Sequence, residues 1–376
     1  MNNTELNIVV DENIPYAEQM FSMYGKVTKV NGRTLTAQQL QGVDVLLVRS
    51  VTNVSAALLE GSSVKFVGSA TIGTDHIDLE HLARHNIAFS SAPGCNANAV
   101  VEYDLCCLYE LLAQSGEDLC DKTVAVIGVG NVGQRLAAKL QVLGVKKVLL
   151  NDPPRAESES GFDDLDYVFK HADIIAVHTP LVKTGAHCTH HLISAAQLSQ
   201  LKPNAILLNA GRGPAIKADD LLVFMQKRAD VRVVLDVWEH EPVVNSQLAE
   251  LVSIATPHIA GYSLEGRVRG TYMLKEAFSK LLGEKLNCQF EDYLPLPAVA
   301  SMQLNSDFDP LAIVKLIYDP FKDDRALRAS LNQSNQAEQF DLLRKHYPMR
   351  REFKSLQLAC TKPENIVDMH KLGFST

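Results

Sequence analysis

The sequence has no surplus of positive charge. Its 36 Lys and Arg are outnumbered by 44 Asp and Glu, a formal net charge of −8, so no global basic field draws nucleic acid. Any bound anion must be held by local arginines and backbone amides. Cysteine offers no disulfide framework. There are seven, an odd number, with Cys106 and Cys107 adjacent and no CxxC spacing, which reads as reduced thiols in a cytosol. No apolar run reaches the roughly 18 residues of a membrane span. The opening "MNNTELNIVVDENIP" has no basic segment followed by a long apolar stretch, so no signal peptide is expected. No short repeat or low-complexity tract occurs. What remains is an ordinary globular composition, 46% hydrophobic and 21% charged over 376 residues, long enough for roughly two or three domains.

Apolar strand-like runs alternate with helix-like stretches, the pattern of parallel sheets with helical crossovers. "NIVV" (7–10), "DVLLV" (44–48), "VKFVGSA" (64–70) and "IAFSSAP" (87–93) predict a first α/β domain. In "NANAVVEYDLCCLYELLA" (96–113), Val100, Val101, Leu105, Leu108, Leu111 and Leu112 fall at helical spacing. Then come "TVAVIG" (123–128), "KVLLND" (147–152), "DIIAVHTP" (173–180), "AILLNAG" (205–211), "RVVLDVW" (232–238) and "VSIATPHIAG" (252–261). This spacing predicts a doubly wound dinucleotide (Rossmann) fold. A helix over 264–283 leads back to the first domain, and "EDYLPLPAVAS" (291–301) reads as a linker. The expected division is 1–95 with 265–290 for substrate, 96–264 for the nucleotide, and 291–376 as a third piece with helices near 310–319 and 336–347.

"VIGVGNVGQRL" places Gly128, Gly130 and Gly133 between a strand and an amphipathic helix. The first glycine permits the turn, the second admits a pyrophosphate, and the third lets helix and strand pack closely. Asn131 and Val132 open the helix whose free N–H groups face the phosphates. Asp152, nineteen residues beyond Gly133, suits the ribose hydroxyls and repels a 2′-phosphate. The cofactor expected is therefore NAD rather than NADP.

Ligands of open α/β sheets bind beyond the carboxyl ends of the strands. Thr179, Arg212, Asp236 and His258 fall at those ends, and Glu241 lies five residues past Asp236. Arg212 offers a planar fork that matches a carboxylate. His258 can take or give a proton near neutral pH. Glu241 can orient that imidazole, with Glu239 a competitor for the acidic role. A carboxylate binder, a proton acceptor and a nicotinamide together fit the oxidation of a 2-hydroxy acid to a 2-oxo acid, or the reverse.

Other groupings read as bland. In "HCTHH" (187–191) the side chains of His187, Cys188, His190 and His191 cannot all point at one metal, so no metal is expected. Cys95 and His76 read as structural. Arg350 and Arg351 read as a solvated charged face, with a phosphate role only if the third piece reaches a pocket. Arg49, beside Ser50, is the first candidate for a distal phosphate.

"GVGNVGQRL", "NAGRGPAI", "LDVWEHEP" and "TPHIAGYS" resemble, in order, the motifs of the NAD-dependent D-2-hydroxyacid dehydrogenases. The resemblance covers about residues 1–290 and implies that Arg212, Glu241 and His258 are catalytic. "LLVRSVT", "GSATIGTDHID", "NDPPRA", "HTPL" and "YPMRREF" are similar to a member acting on a small phosphorylated 2-hydroxy acid. That likeness implies substrate contacts from Ser50, Thr71 and Tyr262, and NAD contacts from Asp152, Thr179, Asp236 and Gly261. It also implies a flavodoxin-like substrate domain and a small C-terminal α+β domain that makes a homodimer. The usual "CDPP" reads "NDPP" here, which leaves the acid intact. Two alternatives stay open: a dehydrogenase of another 2-hydroxy acid such as glycerate or 3-phosphoglycerate, and a non-catalytic NAD(H) sensor.

Overall fold

The computed structural model describes residues 5–362 and 366–376. Residues 1–4, the start of the stretch in which no signal peptide is expected, lie outside the described residues. The chain divides into two compact units. One comprises Met1–Asn96 with Ser263–Leu296, and the other Ala97–Tyr262 with Pro297–Thr376.

The first unit holds β1 (Leu6–Asp11), β2 (Gly25–Val30), β3 (Val45–Val48), β4 (Phe66–Ser69) and β5 (Ala88–Ser90). They form a parallel sheet in the order β2-β1-β3-β4-β5, a flavodoxin-like arrangement. The central strand "VLLV" is buried at every position because both sheet faces are covered. The helix Leu264–Leu282 closes one face, packing Val268, Leu274 and Phe278 against Ile8, Val10 and Phe66. β2 was not foreseen. Its sequence "GKVTKV" is half polar and three of its six residues are exposed, as suits an edge strand that carries no apolar run.

The second unit contains β6 (Thr123–Ile127), β7 (Lys147–Asn151), β8 (Ile174–Val177), β9 (Ile206–Asn209), β10 (Arg232–Leu235) and β11 (Ile254–Ala255). All pair in parallel in the order β11-β10-β9-β8-β6-β7. The strand order reverses beside β6, and a ligand crevice belongs at that reversal. The helix Ala97–Ser115 packs on this sheet, and its apolar face reaches both sheet residues such as Val126 and C-terminal residues such as Ile313, Val314 and Tyr318.

The C-terminal residues add β12 (Ser301–Leu304) and β13 (Gln357–Cys360), paired in parallel, and helices Pro310–Ile317, Pro320–Leu331 and Gln336–Lys345. Helix Pro320–Leu331 carries no clear apolar stripe in the sequence, because "FKDDRALRAS" is charge-rich with few apolar residues. It covers the edge of β11, where the Ala255 N–H donates to Asp324 Oδ1 at 2.8 Å. A buried sheet edge needs such a cover. Among the described residues, no helix is long and apolar enough to cross a membrane. All seven cysteines are free.

Candidate active site

The turn after β6 makes a cradle. Gly128 holds the left-handed region at φ 85°, and a Cβ there would lie 2.7 Å from the Thr179 N–H nitrogen. A Cβ at Gly133 would sit 2.0 Å from the Gly128 carbonyl oxygen, so only glycine lets the helix Asn131–Leu143 pack this close. Gly130 differs: a Cβ there meets nothing within 4 Å, which leaves its backbone open to an approaching group. Thr179 Oγ1 is buried and has no hydrogen-bond partner among the described residues. An orphaned buried hydroxyl on the residue packed against Gly128, with an open glycine and a helix N-terminus in the same turn, fits a dinucleotide. Asp152 closes the cradle, with Oδ2 accepting from the Val129 N–H at 2.7 Å and Oδ1 from the Arg155 N–H at 3.3 Å.

The turn after β9 is built around Asn209. This fully buried side chain accepts from the Gly211 N–H at 3.1 Å and donates to the Arg212 carbonyl at 3.1 Å. Gly213 passes so near the next turn that a Cβ would meet the Trp238 carbonyl oxygen at 2.0 Å. Arg212 is half-buried there, with Nη1 donating to the Gly211 carbonyl at 2.9 Å.

Asp236 organises the neighbouring turn. Its buried carboxylate accepts from the Thr256 hydroxyl at 2.7 Å and from the Ile259 and Ala260 N–H groups at 2.8 and 2.9 Å. Its carbonyl accepts from the His258 N–H at 2.7 Å. These bonds hold His258 at φ 57°, a conformation that costs a side-chain-bearing residue energy and that this surrounding network enforces. His258 Nδ1 then lies 2.6 Å from Glu241 Oε1. A carboxylate at Nδ1 keeps the ring proton there and leaves Nε2 to exchange one with a substrate.

The competition between the two glutamates is decided by geometry. Glu239 bonds His191 Nε2 and accepts from the Ala218 N–H at 2.7 Å, so it serves the scaffold. Glu241 Oε2 accepts from the Trp238 N–H at 3.3 Å. Burial pushes the Glu241 carboxyl up, but His258, Arg344 and that N–H outweigh it and hold the group below the usual carboxylate range.

In the other unit, Thr71 Oγ1 lies 2.9 Å from Ser69 Oγ, which in turn lies 3.0 Å from His76 Nε2. Arg49 Nη1 is 3.9 Å from Asp11 Oδ1, and Ser50 is exposed. Gly261 and Tyr262 lie three and four residues past His258, and the Tyr262 N–H donates to the Ile259 carbonyl at 2.8 Å.

The "HCTHH" side chains take different partners, while His190, His191 and Glu239 bring three possible ligand atoms within 4.8 Å of one another. His187 bonds Glu157 at 2.7 Å, Cys188 Sγ donates to the Lys183 carbonyl at 3.3 Å, and His191 takes Glu239. His190 stacks on His191 with ring centres 3.9 Å apart.

Sequence reasoning missed several groups near the site. His178 Nε2 and Asp104 Oδ2 form a buried pair 2.9 Å apart beneath the end of β8, and burial raises the Asp104 carboxyl. Arg350, expected on a solvated face, is 5% exposed. It donates to the Ala99 and Ala260 carbonyls at 2.8 and 2.6 Å and stacks on Tyr318 at 4.5 Å. Arg344 places its guanidinium carbon 5.7 Å from the centre of the Tyr262 ring. No local signal marks these residues, because their partners are remote in sequence. Together, the turns bring an arginine, a carboxylate-oriented imidazole and a glycine cradle that suits a dinucleotide to the carboxyl ends of one sheet.

Comparison with known proteins agrees with this geometry. Residues 107–260 match the family described as D-isomer specific 2-hydroxyacid dehydrogenase, NAD binding domain. Residues 293–373 match one described as a domain of unknown function. Erythronate-4-phosphate dehydrogenase of Edwardsiella ictaluri is 48% identical over 98% of this chain and 99% of its own length. The enzyme of the same name from Proteus mirabilis is 45% identical, with the same coverage. Among solved structures, D-lactate dehydrogenase from Aquifex aeolicus, complexed with NAD and lactic acid, matches with a TM-score of 0.61 at 22% identity. It covers 74% of this chain and 96% of that one. NAD-bound 3-phosphoglycerate dehydrogenase of Entamoeba histolytica matches with a TM-score of 0.63 at 21% identity, over 74% and 96%. These two structures share the fold.

Proposed function

Because the chain belongs to the erythronate-4-phosphate dehydrogenases, within the NAD-dependent D-2-hydroxyacid dehydrogenases, we propose that it oxidises 4-phospho-D-erythronate to 3-hydroxy-2-oxo-4-phosphobutanoate. The observation that carries the reaction is the 2.6 Å bond between His258 Nδ1 and Glu241 Oε1. With that nitrogen occupied, Nε2 of His258 takes the proton of the substrate C2 hydroxyl as the carbonyl forms. Glu241 stabilises the imidazolium so produced. Arg212 grips the carboxylate with its guanidinium fork and fixes which face of C2 is presented. Bound NAD supplies the acceptor for the hydride that leaves C2. Gly128, Gly130, Asn131, Val132, Gly133, Asp152, Thr179, Asp236 and Gly261 are assigned to its site.

Ser50, Thr71, Tyr262 and Arg49 are assigned to the substrate, with Arg49 the candidate for its phosphate. On this reading residues 1–95 with 265–290 serve the substrate, 96–264 serve NAD, and 291–376 join two copies into a homodimer. The product feeds pyridoxal 5′-phosphate synthesis in the cytosol. NADH formation measured across phosphorylated and unphosphorylated 2-hydroxy acids tests the assignment. Turnover should be best with 4-phospho-D-erythronate. A preference for glycerate or 3-phosphoglycerate would overturn the substrate, and turnover of none would favour a sensor.

A further inference from the structure

The C-terminal residues grip the segment that carries His258 along its length. Arg328 donates to the Ala249 carbonyl and, at 2.9 Å, to the Val252 carbonyl. Asp324 takes the Ala255 N–H at 2.8 Å, and Arg350 donates to the Ala260 carbonyl at 2.6 Å. Tyr347 packs its ring edge-on to Tyr262, centres 5.6 Å apart at 87°, while its hydroxyl donates to Asp323 at 2.7 Å. Phe340, on the same helix as Arg344, is buried in one apolar cluster with Trp238.

Within this grip Arg344 is unusual. Its guanidinium lies over both Tyr262 and Phe340, with its carbon 5.7 and 5.9 Å from the two ring centres. Its Nε is buried and has no hydrogen-bond partner among the described residues. A buried donor left unsatisfied costs about 1–3 kcal/mol, so packing of Phe340 alone does not account for an arginine here. We propose that Arg344 is a positioning residue of the catalytic site, bracing Tyr262 and biasing the Glu241–His258 pair from within the C-terminal module. This inference rests on the dehydrogenase reading and gives residues matched only to a domain of unknown function a part in catalysis.

The bias has a definite sign. His258 and Arg344 are the charged groups that bear on Glu241, and Glu241, Asp341 and Tyr262 bear on Arg344. A fixed cation beside Glu241 competes with His258 for the carboxylate. It therefore favours the form of the Glu241–His258 pair that is ready to accept the substrate's proton. Removing that cation lets the pair hold its proton to higher pH.

The full-length protein is assayed for NADH formation from 4-phospho-D-erythronate across pH, beside NADH affinity and thermal unfolding. Arg344→Gln should move the acid limb of kcat/KM upward by about half a pH unit or more, lowering kcat/KM several-fold below neutrality, with NADH affinity retained. Arg344→Lys should leave that limb in place but raise KM, because it keeps the charge and loses the guanidinium packed over Tyr262. Should the Gln variant fail to accumulate, Arg344→Met removes the same charge while keeping apolar bulk. A charge-removing variant with the wild-type limb, altered only in melting temperature, overturns the proposal. Wild-type turnover in the same assay tests the dehydrogenase reading separately.

Discussion

His258 Nδ1 and Glu241 Oε1 lie 2.6 Å apart, whereas Glu239, in the same turn, is bonded to His191 and the Ala218 N–H. The two glutamates therefore differ in kind. Glu241→Gln should lower kcat about 100-fold with little change in melting temperature, because an amide neither stabilises the imidazolium nor enforces its tautomer. Glu239→Gln should instead cost about 1 kcal/mol of stability and leave most turnover. Steady-state rates and thermal unfolding of the two variants check this, and equal losses of activity would place the acid wrongly.

Arg212 sits where the Asn209 side chain ties down both the Gly211 N–H and the Arg212 carbonyl. Its backbone is fixed, so on the proposed reading its guanidinium reaches the substrate from a set starting point. Arg212→Lys keeps the charge but not the fork, and should lower kcat/KM about tenfold or more, chiefly by misplacing C2. Wild-type kinetics in this variant would mean that a simple positive charge suffices.

Much of the site was legible because strand ends are where an α/β sheet presents ligand groups. Arg212, Asp236 and His258 follow apolar runs, and those runs are strands. The turn itself did not separate Glu239 from Glu241, since both stand in one short stretch, and only the family resemblance pointed to Glu241 before the path of the chain set them apart. Arg344 and Arg350 were hidden for a different reason. Each looks like a surface charge on its own helix or loop, and only packing against Tyr262 and Tyr318 takes it inside. The edge strand β2 and helix Pro320–Leu331 escaped because half-exposed elements carry weak apolar periodicity.

Glu117 ties the end of helix Ala97–Ser115 to β10. It bonds Lys122 and, at 2.8 Å, Arg232, and Arg232 also donates to the Leu111 carbonyl at 2.8 Å. Lys122 first, then Ser115 and Arg232, hold the Glu117 carboxyl down at about 2. A carboxyl depressed on folding adds stability that is complete above its unfolded value and lost as pH falls through the folded one. That window runs from about 4.5 down to about 2. In urea titrations at graded pH, Glu117→Gln should lose less stability across the window than wild type. Parallel curves for the two proteins would dissociate Glu117 from the acid response.

Asp152 does two things at once. Its carboxylate organises the cradle through the Val129 and Arg155 N–H groups, and on the proposed assignment to the ribose its charge would repel a 2′-phosphate. The two roles separate by substitution. Asp152→Ala removes the acceptor of the Val129 N–H as well as the charge, so NAD affinity should fall about tenfold or more while discrimination against NADP relaxes. Asp152→Asn keeps an oxygen for Val129 and removes only the charge. It should retain more of the NAD affinity and shift preference toward NADP by a similar factor. Fluorescence titration with NADH and NADPH reads both constants. A preference for NADH unchanged in the two variants would remove Asp152 from the ribose site and leave it as a cap of the helix Pro153–Ala156.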